Sequence, residues 1–297
     1  MAAFCLFMTN SYQKNLKVAI QKQGRLSEGS VDLLRKCGIG FSNGMGKLKT
    51  VAPNFPLEIY FLRDDDIPEY VADGVADVGI VGENVLGESQ RELCIVERLG
   101  FGKCRMALAL PKGREYASIQ DVEGMRVATS YPRTLQSYLD ANGVGAEIHA
   151  ISGSVEIAPS IGLADAVCDL VSSGSTLFSN GLREVATVMT SEAVFISRPD
   201  LTPEVSGVLD KLLFRLRSVK AARQNKYILL NAPVASLEAI EQILPGINSP
   251  TITPLADPAW VSFQAVIEET DFWDKVDGLK AAGAEGILVL SIDQMIR

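Results

Sequence analysis

Short apolar runs that alternate with stretches of helical periodicity constrain this 297-residue chain more than any other feature. Residues 16–21 (LKVAIQ) read as a strand, followed by the polar KQGR and by LSEGSVDLLRKC, a helix with Ser27 as its N-cap and Gly38 as its stop. From 57 to 86 an apolar run (LEIYFL), the polar RDDD, a helix with Pro68 in its first turn and then ADVGIVGENVL repeat the theme. A further unit covers 126–139. There RVATS is a strand, Ser130 a cap, Pro132 a first-turn residue, and TLQSYLDANG a helix that ends at glycine. Strands alternating with helices predict an α/β fold with a mostly parallel sheet.

An internal echo refines that prediction. VADGVADVGIVGENVL (71–86) lies over LADAVCDLVSSGSTLF (163–178) at a constant offset of 92, with Ala, Asp, Val, Asp and Gly coinciding. Both copies read as helix end, Asp, short strand, glycine turn, new helix, so the echo predicts two similar lobes with a cleft between them. Ligands in such folds sit where the loops at the carboxyl ends of the strands converge. Residues 200–224 carry apolar positions at helical spacing and read as a connector. Beyond them the order is β-α-β-β-α-β, the ferredoxin-like arrangement, a module suited to regulation or assembly.

Composition excludes several functions. Lys plus Arg is 28 and Asp plus Glu is 36, leaving a formal charge of -8 and a pI near 4.9. That is the wrong sign for gripping nucleic acid or an anionic membrane by bulk charge. With 47% hydrophobic and 22% charged residues, and no uninterrupted apolar run of about 18 residues, a soluble folded protein is expected. The start, MAAFCLFMTN, lacks a basic n-region and reads as an extension, which leaves the cytoplasm as the expected location. The single histidine, His149, rules out a His-rich zinc site and is not expected to be catalytic. Cys5, Cys37, Cys94, Cys104 and Cys168 are scattered, with no CxxC pair, and read as buried reduced thiols.

The strongest local candidate for chemistry is DLVSSGSTL (169–177). Ser172, Ser173, Gly174, Ser175 and Thr176 follow a short strand and open a helix, so hydroxyls and successive N–H groups are available to phosphate oxygens. The same residues also suit a Ser-rich N-cap without a ligand. Asp169 stands in front of the loop, placed to meet a sugar hydroxyl, and Glu156 in GSVE offers a second carboxylate. In the first lobe Lys22 and Arg25 flank Gly24, and Arg63 precedes Asp64, Asp65 and Asp66. The cations suit an anionic substrate, while the acidic run suits either Mg²⁺ or a solvated helix start. Tyr131 and Arg133 stand at another helix N-terminus. An acidic chain whose cleft loops collect cations favours a polyanionic small molecule. The GxxxxGK[ST], GxGxxG, HExxH and GxSxG signatures are absent, so the chemistry must rest on positioning and electrostatics.

Taken together, KQGRL, FLRDDDIPEYVADGVADVGIVGENVL, RVATSYPRTL, GSVEIAPSIGLADAVCDLVSSGSTLFSNGLREV and NSPTITPLAD resemble the long form of ATP phosphoribosyltransferase, the first enzyme of histidine biosynthesis, over residues 16–297. The resemblance implies a two-lobed body of the type II periplasmic-binding-protein kind plus a C-terminal ACT-like domain that binds histidine as feedback inhibitor. It also implies a homo-oligomer, dimer to hexamer, with no nucleic-acid or membrane partner. The implied domains are an extension over 1–15, lobe I over 16–117 and 198–224, lobe II over 118–197, and the ACT-like domain over 225–297. The implied reaction is that of a pentosyltransferase: ATP and phosphoribosyl pyrophosphate (PRPP) give phosphoribosyl-ATP and pyrophosphate with Mg²⁺ as cofactor.

Carried onto this sequence, the family's PRPP site falls on Asp169, Glu156 and Ser172 to Thr176, the loop holding the 5′-phosphate and the two carboxylates meeting ribose hydroxyls. The ATP side falls on Lys22, Gly24, Arg25, Arg63, Asp65, Gly79, Glu83, Asn84 and Tyr131. Histidine would dock near Asn231 and Thr251, and Asp64 and Asp65 are the candidate metal contacts. A neutral N1 nucleophile with pyrophosphate leaving needs no activated Ser, Cys or His, in keeping with the missing triads. Departures from the family pattern are the N-terminal extension of about fifteen residues and a short GESQREL loop after Leu86. Prephenate dehydratase shares the combination of two lobes and an ACT domain, but its TRF motif is missing, and the SRP string at 197–199 follows Ile196 rather than Glu. A non-catalytic solute-binding or sensor protein is the other alternative.

Overall fold

In the computed structural model, which describes residues 14–42 and 46–296, the chain forms two units. The first runs to Arg35 and from Ile39 to Leu209; the second takes Lys36–Gly38 and everything from Asp210. The expected extension over 1–15 lies almost wholly outside the described residues.

The first unit starts with β1 (Leu16–Gln21), α1 (Arg25–Lys36), β2 (Lys49–Val51), β3 (Leu57–Leu62), α2 (Ile67–Ala72), β4 (Val78–Gly82), α3 (Glu83–Ser89) and β5 (Cys94–Arg98). A second run follows: β6 (Cys104–Pro111), β7 (Arg126–Thr129), α4 (Pro132–Ala141), β8 (Glu147–Ala150), β9 (Ala166–Val171), α5 (Ser175–Ser179) and β10 (Leu182–Ser191). β11 (Ala193–Ser197) comes next, and α6 (Pro203–Arg223) begins in the first unit and ends in the second. The six-stranded sheet has the order β2-β3-β1-β4-β11-β5 and the five-stranded one β10-β6-β9-β7-β8. Leaving aside the β2 hairpin, they share one topology: three parallel strands, then an antiparallel strand, then an edge. The central strands are apolar because both their faces are covered; Val18, Ile20 and Val127 are fully buried.

The second sheet is built from the continuous stretch β6 to β10, and the antiparallel strand of the first, β11, comes from beyond it. β6 lies in the second sheet although the expected lobe I ran to 117, and β11 lies in the first sheet although the expected lobe II ran to 197. The chain therefore crosses at 99–103 and at Glu192. The two crossings are hydrogen-bonded side by side, Leu99 N–H donating to the Ala193 carbonyl and Ala193 N–H to that of Phe101, both at 2.9 Å. An apolar run reads alike in either sheet, so neither the early start of the second sheet nor the return of β11 to the first leaves a mark in the pattern.

The two sheets also correct the register of the echo. Asp77, just before β4, exchanges backbone bonds with Lys17: its N–H donates to the Lys17 carbonyl, and Lys17 N–H donates to its Oδ2, both at 2.9 Å. Asp165, just before β9, does the same with Arg126 at 2.8 and 3.0 Å. These equivalent aspartates are 88 positions apart, whereas the helix starts Glu83 and Ser175 are 92 apart. The offset of 92 thus aligns helices and misaligns strands, and Asp169 is not the counterpart of Asp77. Lobe II carries four extra residues between its strand start and its helix.

In the second unit, β12 (Asn225–Pro233), α7 (Leu237–Ile243), β13 (Thr251–Pro254), β14 (Trp260–Glu268), α8 (Phe272–Ala281) and β15 (Glu285–Ser291) make an antiparallel sheet of order β13-β14-β12-β15. This is the ferredoxin-like arrangement expected. Ile228, Leu230, Phe263 and Ala265 face a core closed by Ile240 of α7 and Leu279 of α8.

Cap positions differ from expectation. α1 begins at Arg25, and it is the Gln21 carboxamide that receives the Leu26 N–H at 3.1 Å, while the Ser27 hydroxyl donates to the Lys22 carbonyl. Ser130 does not cap α4; its hydroxyl donates to the Ile151 carbonyl at 2.7 Å. Cys37 and Cys168 are buried, which holds their thiols up at about 11 and about 12, whereas Cys94 is exposed. Cys5 lies outside the described residues.

Candidate active site

The turns at the carboxyl ends of β1, β4 and β9 converge on a cleft of about 540 Å³ between the two sheets. Gln21, Arg25, Asp64, Gly82 and Asn84 line it from one side, Leu170 and Ser172 from the other, and Lys103 and Cys104 from the crossing.

On the lobe II side, β9 delivers Asp169 near its end and then opens into Ser172-Ser173-Gly174 before α5. Gly174 sits at φ +79°, a left-handed conformation that an L side chain strains, which lets the chain turn sharply into the helix. The hydroxyls of Ser173 and Ser175 meet at 3.0 Å. Arg25 of α1 reaches across and donates to the Ser172 hydroxyl. Arg105, paired in bidentate fashion with Glu184 at 2.6 Å, donates a further Nη1 to the Ser172 carbonyl at 3.4 Å. Thr176 is exposed on the first turn of α5.

Burial raises the pKa of Asp169, and the nearby Glu156 carboxylate raises it further, against the Leu170 N–H that donates to its Oδ1 at 2.7 Å. Glu156 stands in a single helical turn over 155–157 whose preceding residue, Ser154, is held at φ +49°. Non-glycine residues in this region carry strain and cluster at functional sites.

Also from lobe II, Tyr131 enters at the start of α4. Burial and the charges of Asp169, Asp65 and Asp64 push its phenol up, opposed by a hydrogen bond with Asn84. Asn84 is buried and accepts the Ser191 hydroxyl at 2.9 Å. Asp64 is pushed up to about 6 by burial and by Asp65, and its Oδ1 is buried without a hydrogen-bond partner. Arg63, Asp65, Lys22 and Gly24 are exposed; Gly24 turns at φ +110° over the Gln21 carboxamide.

Two expected ATP-side residues stand elsewhere. Gly79 is interior to β4, and a Cβ there would strike Ile67 of α2, so its small size serves sheet packing. Glu83 is bound in bidentate fashion by Arg98 at 2.6 and 2.7 Å. Asn231 and Thr251, in the other unit, lie on the helix-free face of their sheet as diagonal neighbours across β14. His149 pairs with Glu147 at 2.9 Å on the edge strand β8.

Sequence reasoning missed Gln21, Lys103, Cys104 and Arg105. The crossing segment GFGKCR, with Gly100 and Gly102 both at positive φ, carried a usable signal: glycine punctuation beside cations. Among the described residues no group of three or more His, Cys, Asp or Glu side chains converges as a metal cage, and no helix is long and apolar enough to cross a membrane.

Fold and cleft define a class: an α/β protein of two like lobes, the second continuous in sequence and the first completed by the returning strand β11, whose strand-end loops meet at one cleft, followed by a ferredoxin-like domain. Within that class, the family described as ATP phosphoribosyltransferase matches residues 63–218, and the one described as HisG, C-terminal domain, matches 222–294. The ATP phosphoribosyltransferase of Cytophaga hutchinsonii is 55% identical over 95% of this chain and 99% of its own length, and that of Parabacteroides distasonis 53% identical over 95% and 99%. The solved ATP phosphoribosyl transferase (HisG:HisZ) complex from Thermotoga maritima has a chain 30% identical, with a TM-score of 0.58, covering 68% of this chain and 98% of its own. The chain belongs to the ATP phosphoribosyltransferase family, in the form that carries the C-terminal domain. The prephenate dehydratase and sensor alternatives fall away.

Proposed function

We propose that this chain transfers the 5-phosphoribosyl group of PRPP to N1 of ATP in the cleft, releasing pyrophosphate, as the first step of histidine biosynthesis. The observation that carries the reading is the pairing of the lobe II loop, Asp169 followed by Ser172 to Thr176, with Arg25 and Lys103 facing it over a cleft of about 540 Å³. The loop hydroxyls and N–H groups take the 5′-phosphate, and Asp169 and Glu156 accept from ribose hydroxyls. Arg25, Lys103 and Arg63 face the phosphates of PRPP and ATP. Tyr131 and Asn84 orient the adenine, with Lys22, Gly24 and Asp65 around them; Glu83 is left out, being held by Arg98. Gly79 is left out, being buried in the sheet.

Positive charge developing on the ribose ring meets the carboxylates, and negative charge on the departing pyrophosphate meets the cations. Asp64, with its orphaned buried oxygen, fits a Mg²⁺ brought in on substrate phosphates, with Asp65 beside it. That ion would neutralise the leaving pyrophosphate. The polar half of the open sheet face in the second unit, with Asn231 and Thr251, is the proposed histidine site. Family membership supports a homo-oligomer, dimer to hexamer, working in the cytoplasm.

The test is pyrophosphate release by the purified chain with ATP, PRPP and Mg²⁺, with single omissions and with added histidine. Release that needs both substrates and falls with histidine is expected. Release indifferent to histidine would remove the regulatory role of the C-terminal domain, and no release from folded protein would overturn the reading.

A further inference from the structure

α4 cannot cap itself. Its N-cap residue Tyr131 makes no side-chain cap, the Ser130 hydroxyl is given to Ile151, and Thr129 Oγ1 accepts the Tyr131 N–H. A helix start without partners leaves several N–H groups unsatisfied. The partner comes from the other lobe: the Glu88 carboxylate, in the last turn of α3, accepts Arg133 N–H at 3.0 Å, Thr134 N–H at 2.9 Å and the Thr134 hydroxyl at 2.9 Å. The contact is returned. Arg133 Nη1 donates to the carbonyls of Glu88 and Ser89 at 3.2 and 3.4 Å, where α3 ends in Gln90 at φ +54°. A carboxylate thus meets the positive end of one helix and a guanidinium the negative end of the other, the favourable sense for both dipoles.

This clasp joins the two elements that hold the centre of the cleft. α3 begins with Glu83 and Asn84, the latter lining the cleft; α4 is entered through the half-buried Tyr131, whose phenol feels the charges of Asp169, Asp65 and Asp64. The clasp can form only when the lobes stand at this spacing, because its donors lie on one lobe and its acceptor on the other.

We propose that Glu88 is a positioning residue of the transfer reaction: by capping α4 across the cleft it fixes the lobe spacing and the place of Tyr131 at which the two substrates react. The inference rests on the functional reading above in placing the chemistry around Tyr131. Holding two reactants at the reacting distance is worth rate rather than ground-state affinity when the spacing is set in the transition state.

The experiment combines steady-state kinetics with hydrogen exchange on the full chain. Glu88→Ala is expected to lower kcat per folded molecule by about 10- to 100-fold with KM within about threefold. Glu88→Gln, whose one amide oxygen still accepts at the Thr134 N–H and hydroxyl while its NH2 faces the Arg133 N–H, should recover part of that loss. Exchange over 131–137 should rise about tenfold in Glu88→Ala while β7 stays unchanged. Arg133→Ala, which keeps the carboxylate, gives a second variant with a loss in kcat of about threefold should Glu88→Ala not fold. Wild-type kcat in both alanine variants, or raised exchange with wild-type kcat, would overturn the proposal. A wild-type chain without transferase activity removes the functional reading instead, and unchanged exchange in the alanine variants then removes the clasp as well.

Discussion

The same strand-to-helix turn is built twice in this molecule, once tight and once open. In lobe I, β4 passes directly into α3 at Gly82, and the turn is filled by the buried Asn84 side chain. In lobe II, β9 runs one residue further and three more, Ser172, Ser173 and Gly174, separate it from α5. Counting from the equivalent aspartates Asp77 and Asp165, the place of Asp169 is taken in lobe I by Val81, which is fully buried. One topology thus supplies a packed, mostly structural turn and a hydroxyl-lined one preceded by a carboxylate. The proposed phosphate loop lies in the insertion, where extra backbone can leave the sheet without disturbing its ladder.

The sharpest way to break this contrast is to remove the carboxylate that only lobe II has. Asp169→Ala should lower kcat/KM for pyrophosphate release by about 10- to 1000-fold, the range for one lost electrostatic contact; near wild-type turnover would remove Asp169 from the mechanism. Next come the aspartates that the lobes share. Asp77 is buried and also meets Arg198 at 3.3 Å, whereas the Asp165 side chain is 30% exposed. Asp77→Ala should therefore cost about 3 kcal/mol by urea unfolding and Asp165→Ala about 1 kcal/mol. Equal losses would show that burial does not separate the two.

Asp64 tests the lobe I side through pH. Its folded pKa of about 6 lies above its ordinary value, so the folded state binds the proton more tightly. Stability is therefore lost as pH rises from about 4 to about 6 and stays lost above that. Asp64→Asn should stabilise the chain by about 2 kcal/mol at pH 8 without divalent cations and by nothing near pH 4; a pH-independent change would mean that the buried charge is not the cause. The smallest effect is expected at the open turn itself. Gly174→Ala forces a methyl group into φ +79° and should cost about 1 kcal/mol, with KM for PRPP rising more than KM for ATP.

Much of this was legible in the chain. Burial on both faces makes the parallel strands continuous apolar runs, which is why LKVAIQ and LEIYFL could be read, and Pro68 and Pro132 marked first turns because a missing N–H costs nothing there. The strand end, turn and helix start from Asp169 to Thr176 could be read because a glycine and small hydroxyl residues after an apolar run mark such a turn. Gly79 was misread: a glycine spared a clash with Ile67 looks the same in sequence as one that approaches a ligand.

Local chemistry by itself determined the alternation of elements, the ferredoxin-like order after Asn225 and the hydroxyl-rich turn between β9 and α5, since each depends on residues a few positions apart. Only the tertiary structure decided which sheet receives β6 and β11, the register of the two lobes, and the capping of α4 by Glu88. Those features join residues 39 or more positions apart, and chain topology, rather than side-chain preference, brings them together.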